Sequence, residues 1–119
     1  IPDSGGLGQY RGGLGVRRKV SMTGETEVIS MKKKSKTVGW GLDGGQPSPI
    51  KNHMVLRPNT PEEKKVGMYR ETLQAGEAFI NFSAGGAGWG DPANRDPDAI
   101  AEDIQDGLTT NCISKMKEK

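Results

Sequence analysis

The sequence contains few of the large apolar side chains that form a protein core. Leu, Ile, Val and Phe account for 21 of the 119 residues, about 18%, which is below the roughly 20% at which independent folding becomes doubtful. The net charge is only +2, whereas disordered chains carry much stronger charge. We therefore expect a folded chain that completes its core against something larger.

Further absences argue against whole classes of protein. No apolar run reaches 18 residues, which predicts that the chain has no membrane span and no membrane partner. Cys112 is the single cysteine, and the first residues do not resemble a secretory leader, so we expect a cytoplasmic location. His53 and Cys112 cannot supply the four ligands of a zinc site. We interpret both residues as structural.

Glycine, in contrast, is abundant, with 18 copies gathered mainly into clusters. No glycine is followed by lysine, as a Walker phosphate loop requires, and Arg11 stands where a dinucleotide fingerprint needs its last glycine. We interpret the clusters as tight turns and close backbone packing. The sequence therefore predicts no cofactor site and no complete catalytic site on this chain.

Short runs of β-branched residues predict strands in the first part of the chain. Residues 16–22 and 26–31 are separated by Thr23-Gly24-Glu25, a pattern typical of a β-hairpin. Within the second run, Val28 and Ser30 are predicted on one face, and Ile29 and Met31 on the other. Residues 37–61 read as one long ordered loop. A further strand is predicted over residues 78–82.

A single helix is predicted near the end of the chain. Asp96 is a favourable N-cap and Pro97 suits the first helical position. Ile100, Ile104 and Leu108 recur at a helical spacing, so they are expected on one face, with the acidic side chains in solvent and the end frayed at Gly107. The predicted fold class is mainly β with long glycine-rich loops and one C-terminal α-helix, an α+β arrangement.

Four lysines, at positions 32, 33, 34 and 36, form the densest charge cluster of the sequence. Such a cluster can bind nucleic acid, but only six residues are aromatic, so there is little material for base stacking. We interpret the cluster as a solvated or inter-subunit face and predict no nucleic-acid partner.

Two long glycine patterns together resemble the C-terminal end of the hydantoinase B/oxoprolinase family. They are residues 2–16 (PDSGGLGQYRGGLGV) and residues 85–92 (GGAGWGDP), the latter followed by Arg95-Asp96-Pro97 and Asp106-Gly107. Residues 40–45 (WGLDGG) and 59–61 also fit the pattern. The predicted organisation is a hydantoinase B-type C-terminal segment at residues 1–110 and a charged tail at residues 111–119.

The resemblance implies a small, non-catalytic subunit of an ATP-dependent ketone carboxylase complex, most like acetophenone carboxylase, which makes a 3-oxo acid from a ketone and bicarbonate. The alternative is that the chain is part of an ATP-dependent hydantoinase, oxoprolinase or lactamase that opens a cyclic amide. The second alternative is a stand-alone basic binding module. The resemblance also implies larger hydantoinase A-type and hydantoinase B-type partner subunits. It places ATP and a divalent metal (Mg, Mn or Zn) in the complex but not on this chain.

The matching motifs contain charged side chains beside glycine turns, and such charges must be paired when they are buried or interfacial. We expect these residues to fix loops or join a partner subunit, together with a glycine and a tryptophan of the second cluster. No catalytic residue and no metal ligand is carried over from the family. The candidate structural or interface residues are Asp3, Arg11, Asp43, Asp91, Gly88 and Trp89.

Overall fold

The computed structural model describes residues 1–33, 35–58, 61, 64–66 and 68–110. Cys112, the predicted tail at residues 111–119 and most of the turn at residues 59–61 lie outside them. The chain divides into two compact units. The first, here called the glycine unit, consists of Ile1–Gly15, Val38–Ile50 and the chain from Ala84 onward. The second, the sheet unit, consists of Val16–Thr37 and Lys51–Ser83.

The sheet unit contains two antiparallel sheets. One has four strands in the order β1-β6-β3-β4, and the other pairs β2 with β5. The strands are β1 (Arg17–Ser21), β2 (Thr26–Met31), β3 (His53–Leu56), β4 (Lys64–Val66), β5 (Met68–Leu73) and β6 (Ala78–Phe82).

Both sheets contribute side chains to one apolar core. Leu56 of β3 and Leu73 of β5 are fully buried, and Val28 of β2 packs in the same cluster. The predicted alternation along β2 is confirmed, because Val28 and Ser30 are buried while Ile29 and Met31 are exposed. β6 spans the residues that the sequence predicted.

The predicted hairpin between residues 16–22 and 26–31 is wrong. β1 pairs with β6 along its full length, with Val20 opposite Phe79, and β2 pairs with β5. The glycine between the two runs therefore joins strands of different sheets, because pairing with distant strands brings both runs onto the shared core. The predicted loop over residues 37–61 is also wrong in part, since it contains β3.

The glycine unit contains the single α-helix of the described chain, α1 (Pro97–Gln105). The side chain of Asp96 accepts a hydrogen bond from the Asp98 amide at 2.9 Å, as predicted for an N-cap. The expected fraying at Gly107 is wrong. Gly107 has φ of +73°, and the amides of Gly107 and Leu108 donate to the carbonyls of Ile104 and Asp103. This pair of bonds is a Schellman motif, which closes the helix end.

The fold class is confirmed: the chain is mainly β, with two antiparallel sheets and one helix. Within the described residues, no helix has the length and apolar character needed to cross a bilayer.

Candidate functional site

The glycine clusters of the first and last parts of the chain pack backbone against backbone. The Gly6 amide donates to the Gly86 carbonyl at 2.8 Å. A Cβ atom on Gly88 would lie 2.2 Å from the Leu7 carbonyl oxygen, and one on Gly12 would lie 2.0 Å from the Gly86 carbonyl oxygen. Any side chain at these positions would force the two backbones apart, so Gly88 has a packing role inside this unit.

Two arginines converge on one carboxylate of α1. Arg11 donates through Nε and one terminal nitrogen to the two oxygens of Asp103, at 2.8 and 3.1 Å. Arg95 donates to the same carboxylate at 2.8 Å. The remaining terminal nitrogens bond the carbonyls of Gly12 and Gln9. The network ties the first glycine pattern to the helix through charge-assisted, partly bidentate bonds.

Asp103 corrects the expectation that the acidic side chains of the helix lie in solvent. It is the buried residue of α1, whereas Ile104 is exposed. The hydrogen bond from Arg11 lowers the pKa of the Asp103 carboxyl, so it is charged at neutral pH. Sequence reasoning missed this residue, although its position three residues after Ile100 places it beside the apolar side chains.

Asp3 forms hydrogen bonds with the residues that follow the helix. Its Oδ1 accepts hydrogen bonds from the Thr110 amide at 2.8 Å and the Thr109 hydroxyl at 2.9 Å. Its own amide donates to the Leu108 carbonyl at 3.0 Å. The hydrogen bond from the Thr110 amide lowers the pKa of the Asp3 carboxyl. The φ angle of Asp3 is +59°, a left-handed conformation that aspartate tolerates better than most residues.

A pocket of about 260 Å³ lies within the glycine unit. Its wall is mainly apolar, and the two charged side chains in it, Asp3 and Arg11, already have the partners described above. The arrangement therefore offers an apolar surface rather than a pair of free acid and base groups. The lining residues are Asp3, Gly5, Leu7, Arg11, Leu14, Gln46, Pro47, Pro49, Leu108 and Thr109.

The other two predicted charged residues lie in exposed turns. Asp43 and Gly44 have φ of +50° and +90°, and the Gly45 amide closes the turn onto the Leu42 carbonyl at 2.9 Å. This is the type I′ geometry, which Asp-Gly favours. Asp91 caps the 3₁₀ turn Pro92–Asn94 by accepting from the Ala93 amide at 2.9 Å. Both residues fix loops locally, and a role for either in contacting a partner stays a prediction.

Trp89 lies between two other extended segments. It pairs antiparallel with Tyr10 and parallel with Leu42, and its ring centroid is 5.7 Å from that of Tyr10. Its side chain remains about half exposed. The sequence singled out Trp89, but its two neighbours come from distant parts of the chain and were not predicted.

The described residues contain no group of three or more His, Cys, Asp and Glu side chains able to hold a metal ion. His53 stacks on Phe82 with ring centroids 4.3 Å apart, in the sheet unit. In the lysine cluster, Lys32 donates to the Phe82 carbonyl at 2.8 Å, and its burial lowers the pKa of its ammonium group; Lys33 and Lys36 are exposed.

The family model of hydantoinase B/oxoprolinase matches residues 1–92, which include the first glycine pattern and the packed second cluster. This chain belongs to the hydantoinase B/oxoprolinase family. The particular likeness to acetophenone carboxylase and the boundary at residue 110 stay predictions.

Two named relatives illustrate what this chain is similar to. It is 30% identical to caprolactamase subunit beta from Pseudomonas jessenii, in an alignment of 124 positions that covers 92% of this chain and 20% of that protein. It is 28% identical over 105 residues to the acetone carboxylase alpha subunit from Xanthobacter autotrophicus, covering 88% of this chain and 13% of that protein. The crystal structure of the ATP-dependent caprolactamase superposes with a TM-score of 0.80 and 25% identity, covering 92% of this chain and 20% of that chain.

The chain thus spans about one fifth or less of the length of these relatives. This chain also covers only 20% of the caprolactamase chain in the solved structure. Together with the TM-score, this means that the glycine-rich fold described here corresponds to one part of that much larger polypeptide.

Proposed function

We propose that this chain forms the C-terminal-type segment of a hydantoinase B-type subunit and works within an ATP-dependent enzyme complex. The observation that carries the proposal is the family match over residues 1–92, combined with a span of only 13–20% of the two named relatives. In this proposal, a larger chain supplies the rest of the hydantoinase B-type subunit. A hydantoinase A-type chain is the other partner in the complex. A stand-alone basic binding module is less well supported, because the two named relatives are subunits of enzymes.

The segment acts as a scaffold rather than as a catalytic centre. Its buried carboxylate, Asp103, is paired with the charged side chains of Arg11 and Arg95. The Asp3 carboxylate accepts hydrogen bonds from Thr109 and Thr110. These groups close the glycine unit and are not available for proton transfer. We assign ATP and a divalent metal (Mg, Mn or Zn) to the larger subunits, as the family resemblance implies.

Two reactions fit a complex of this family. The first is carboxylation of a ketone by bicarbonate at the expense of ATP, which the sequence pattern and the likeness to the acetone carboxylase alpha subunit support. The second is ATP-dependent opening of a cyclic amide, which the likeness to caprolactamase supports.

Copurification followed by a turnover assay tests the proposal. The affinity-tagged chain is isolated from its source, and copurifying chains are identified by mass spectrometry. We expect larger hydantoinase A-type and B-type chains. A cooperatively folded monomer that copurifies with neither would contradict the proposal and favour the basic binding module.

ATP turnover by the isolated complex then separates the two reactions. Bicarbonate-dependent ATP hydrolysis with a ketone such as acetone or acetophenone indicates carboxylation. ATP hydrolysis with caprolactam or a hydantoin, independent of bicarbonate, indicates amide opening. If the substrates of one reaction do not raise ATP turnover above the background rate, that reaction is rejected.

A further inference from the structure

Three extended segments of the glycine unit place an apolar group on one face. The amide and carbonyl of Tyr10 exchange hydrogen bonds with those of Trp89, both at 3.0 Å, and the Gly90 amide donates to the Leu42 carbonyl at 2.9 Å. Residues directly opposite one another in paired strands project to the same side. Tyr10, Trp89 and Leu42 therefore form one surface, here called the aromatic platform.

The aromatic platform is exposed. The exposed fractions are 63% for Tyr10, 60% for Leu42 and 45% for Trp89. Trp40, two residues before Leu42, is 80% exposed, so both tryptophans of the sequence lie in or beside the platform. Tryptophan and tyrosine are the residues that most often dominate binding energy at protein interfaces.

The backbone beneath the aromatic platform is closely packed. A Cβ atom on Gly8 would lie 2.7 Å from the Trp89 amide nitrogen, and one on Gly45 would lie 2.0 Å from the Gly88 carbonyl oxygen. These approaches fix the segments that carry Tyr10, Leu42 and Trp89. A surface held in its binding geometry loses little entropy when a partner covers it.

Charge argues against nucleic acid and anionic membrane as the occupant. The glycine unit contains nine Asp and Glu residues against five Lys and Arg residues. An acidic unit repels phosphate groups and lacks the cations that neutralise them. The aromatic platform is therefore suited to an apolar protein surface.

We propose that the aromatic platform docks onto the remaining part of a hydantoinase B-type subunit, with Trp89 as its central anchor. This inference rests on the proposed function. The platform residues lie within the 1–92 match, and four fifths or more of each named relative lies outside the aligned part. In both named relatives that remaining polypeptide belongs to the same chain as the segment aligned with the platform, which makes it the occupant.

Binding measurements on surface variants of the full chain test the inference. The partner is the purified hydantoinase B-type chain from the same source that lacks this segment. Tyr10→Ser and Leu42→Asp change exposed side chains, so the fold is retained, which circular dichroism verifies. We expect each variant to weaken the Kd at least about tenfold. The matched control is Met31→Asp, an exposed apolar residue (78%) of β2 outside the platform, for which the Kd stays within about twofold of wild type.

Tryptophan fluorescence gives a second readout that does not depend on a folding defect. In a Trp40→Phe variant, Trp89 is the single tryptophan. After the emission of the partner alone is subtracted, adding the partner should shift the Trp89 emission to shorter wavelength and reduce its quenching by acrylamide, because docking removes the ring from water. Unchanged emission and quenching in a complex that has formed would overturn the inference.

The outcomes separate the inference from the proposed function. If wild type binds the partner and both platform variants bind equally well, the docking surface lies elsewhere and only the inference is overturned. If wild type does not bind, the proposed function and the inference both fail. If wild type forms a dimer that Tyr10→Ser and Leu42→Asp dissociate without affecting partner binding, a second copy covers the platform, and the inference is again overturned.

Discussion

The sheet unit buries apolar side chains, whereas the glycine unit buries backbone and polar side chains. All seven buried apolar residues of the described chain lie in the sheet unit. In the glycine unit, the buried residues other than glycine are Ser4, Ser48, Asp103 and Thr109. Fifteen of the eighteen glycines also belong to this unit. One chain therefore combines a conventional core with a region that depends on hydrogen bonds and close backbone contacts.

The two units also differ in charge. The sheet unit contains twelve Lys and Arg residues against six Asp and Glu residues, while the glycine unit has the opposite excess. The overall net charge of +2 conceals this difference. The difference teaches that composition averaged over a whole chain can hide two regions of opposite charge and different stabilising forces.

The largest effect is expected from Gly88→Val in the glycine unit. Its Cβ atom would lie 2.2 Å from the Leu7 carbonyl oxygen, so the paired backbones must separate, at a cost of about 4 kcal/mol or more. Denaturant unfolding followed by tryptophan fluorescence measures this, since both tryptophans belong to this unit. Gly24→Val in the sheet unit is the control, because nothing lies within 4 Å of its added Cβ. A Gly88→Val variant that unfolds at the wild-type denaturant concentration would refute the packing role.

The second effect is expected from Leu56→Ala in the sheet unit. This side chain is fully buried in the apolar core, so its removal should reduce the free energy of unfolding by about 2–5 kcal/mol. Circular dichroism of the sheets gives the measurement. Met31→Ala, on the exposed face of β2, should change stability by less than about 0.5 kcal/mol. Equal effects from the two substitutions would mean that the apolar cluster does not stabilise this unit.

A smaller effect is expected from Asp103→Asn. It leaves Arg11 and Arg95 without their shared negative charge. Because the arginine side chains are partly exposed, we expect a loss of about 2 kcal/mol rather than the 3–5 kcal/mol of a fully buried pair. The exposed Glu102→Gln on the same helix is the control and should be nearly neutral. Tryptophan fluorescence during urea unfolding measures both variants, and indistinguishable midpoints would contradict a structural role for the network.

The smallest effect at neutral pH is expected from Asp3→Asn. The asparagine side chain keeps an oxygen that accepts from the Thr110 amide, and asparagine tolerates the positive φ. The free energy of unfolding should therefore fall by about 1 kcal/mol. The variant is most informative as a function of pH. Folding lowers the pKa of both Asp3 and Asp103, so their stabilisation is complete above the pKa of the unfolded chain, near 4, and is lost as the pH falls through the folded values.

Stability of the glycine unit should therefore fall steeply below about pH 4 in the wild type. The fall should be shallower in Asp3→Asn and in Asp103→Asn, because each variant removes one of the shifted carboxyl groups. Urea unfolding by tryptophan fluorescence between pH 2 and 7 is the measurement. If both variants keep the wild-type slope, the acid sensitivity does not arise from these two carboxylates.

Local signals in the sequence were sufficient for several elements. Asp96 and Pro97 located the start of α1, the alternation along β2 located that strand and its faces, and the run at residues 78–82 located β6. These features depend on neighbouring residues, so a local pattern contains the information. The glycine patterns also sufficed to indicate the family, since they extend over most of the chain.

Pairing between distant segments could not be predicted. Thr23-Gly24-Glu25 has the chemistry of a hairpin turn, yet β1 pairs with β6 and β2 with β5. The choice depends on which apolar side chains meet in the shared core, which local patterns do not record. The pairing of Asp103 with Arg11 could not be predicted either, because the two residues lie 92 positions apart.

The sequence by itself determined where α1 begins and which residues of β2 face the core, because those properties depend on the residue and its neighbours. The tertiary structure alone decided which backbone each glycine touches and which carboxylate receives the two arginines. It also decided that Tyr10, Leu42 and Trp89 share one exposed face. These outcomes follow from contacts between remote segments, and their energies exist only when the whole fold has assembled.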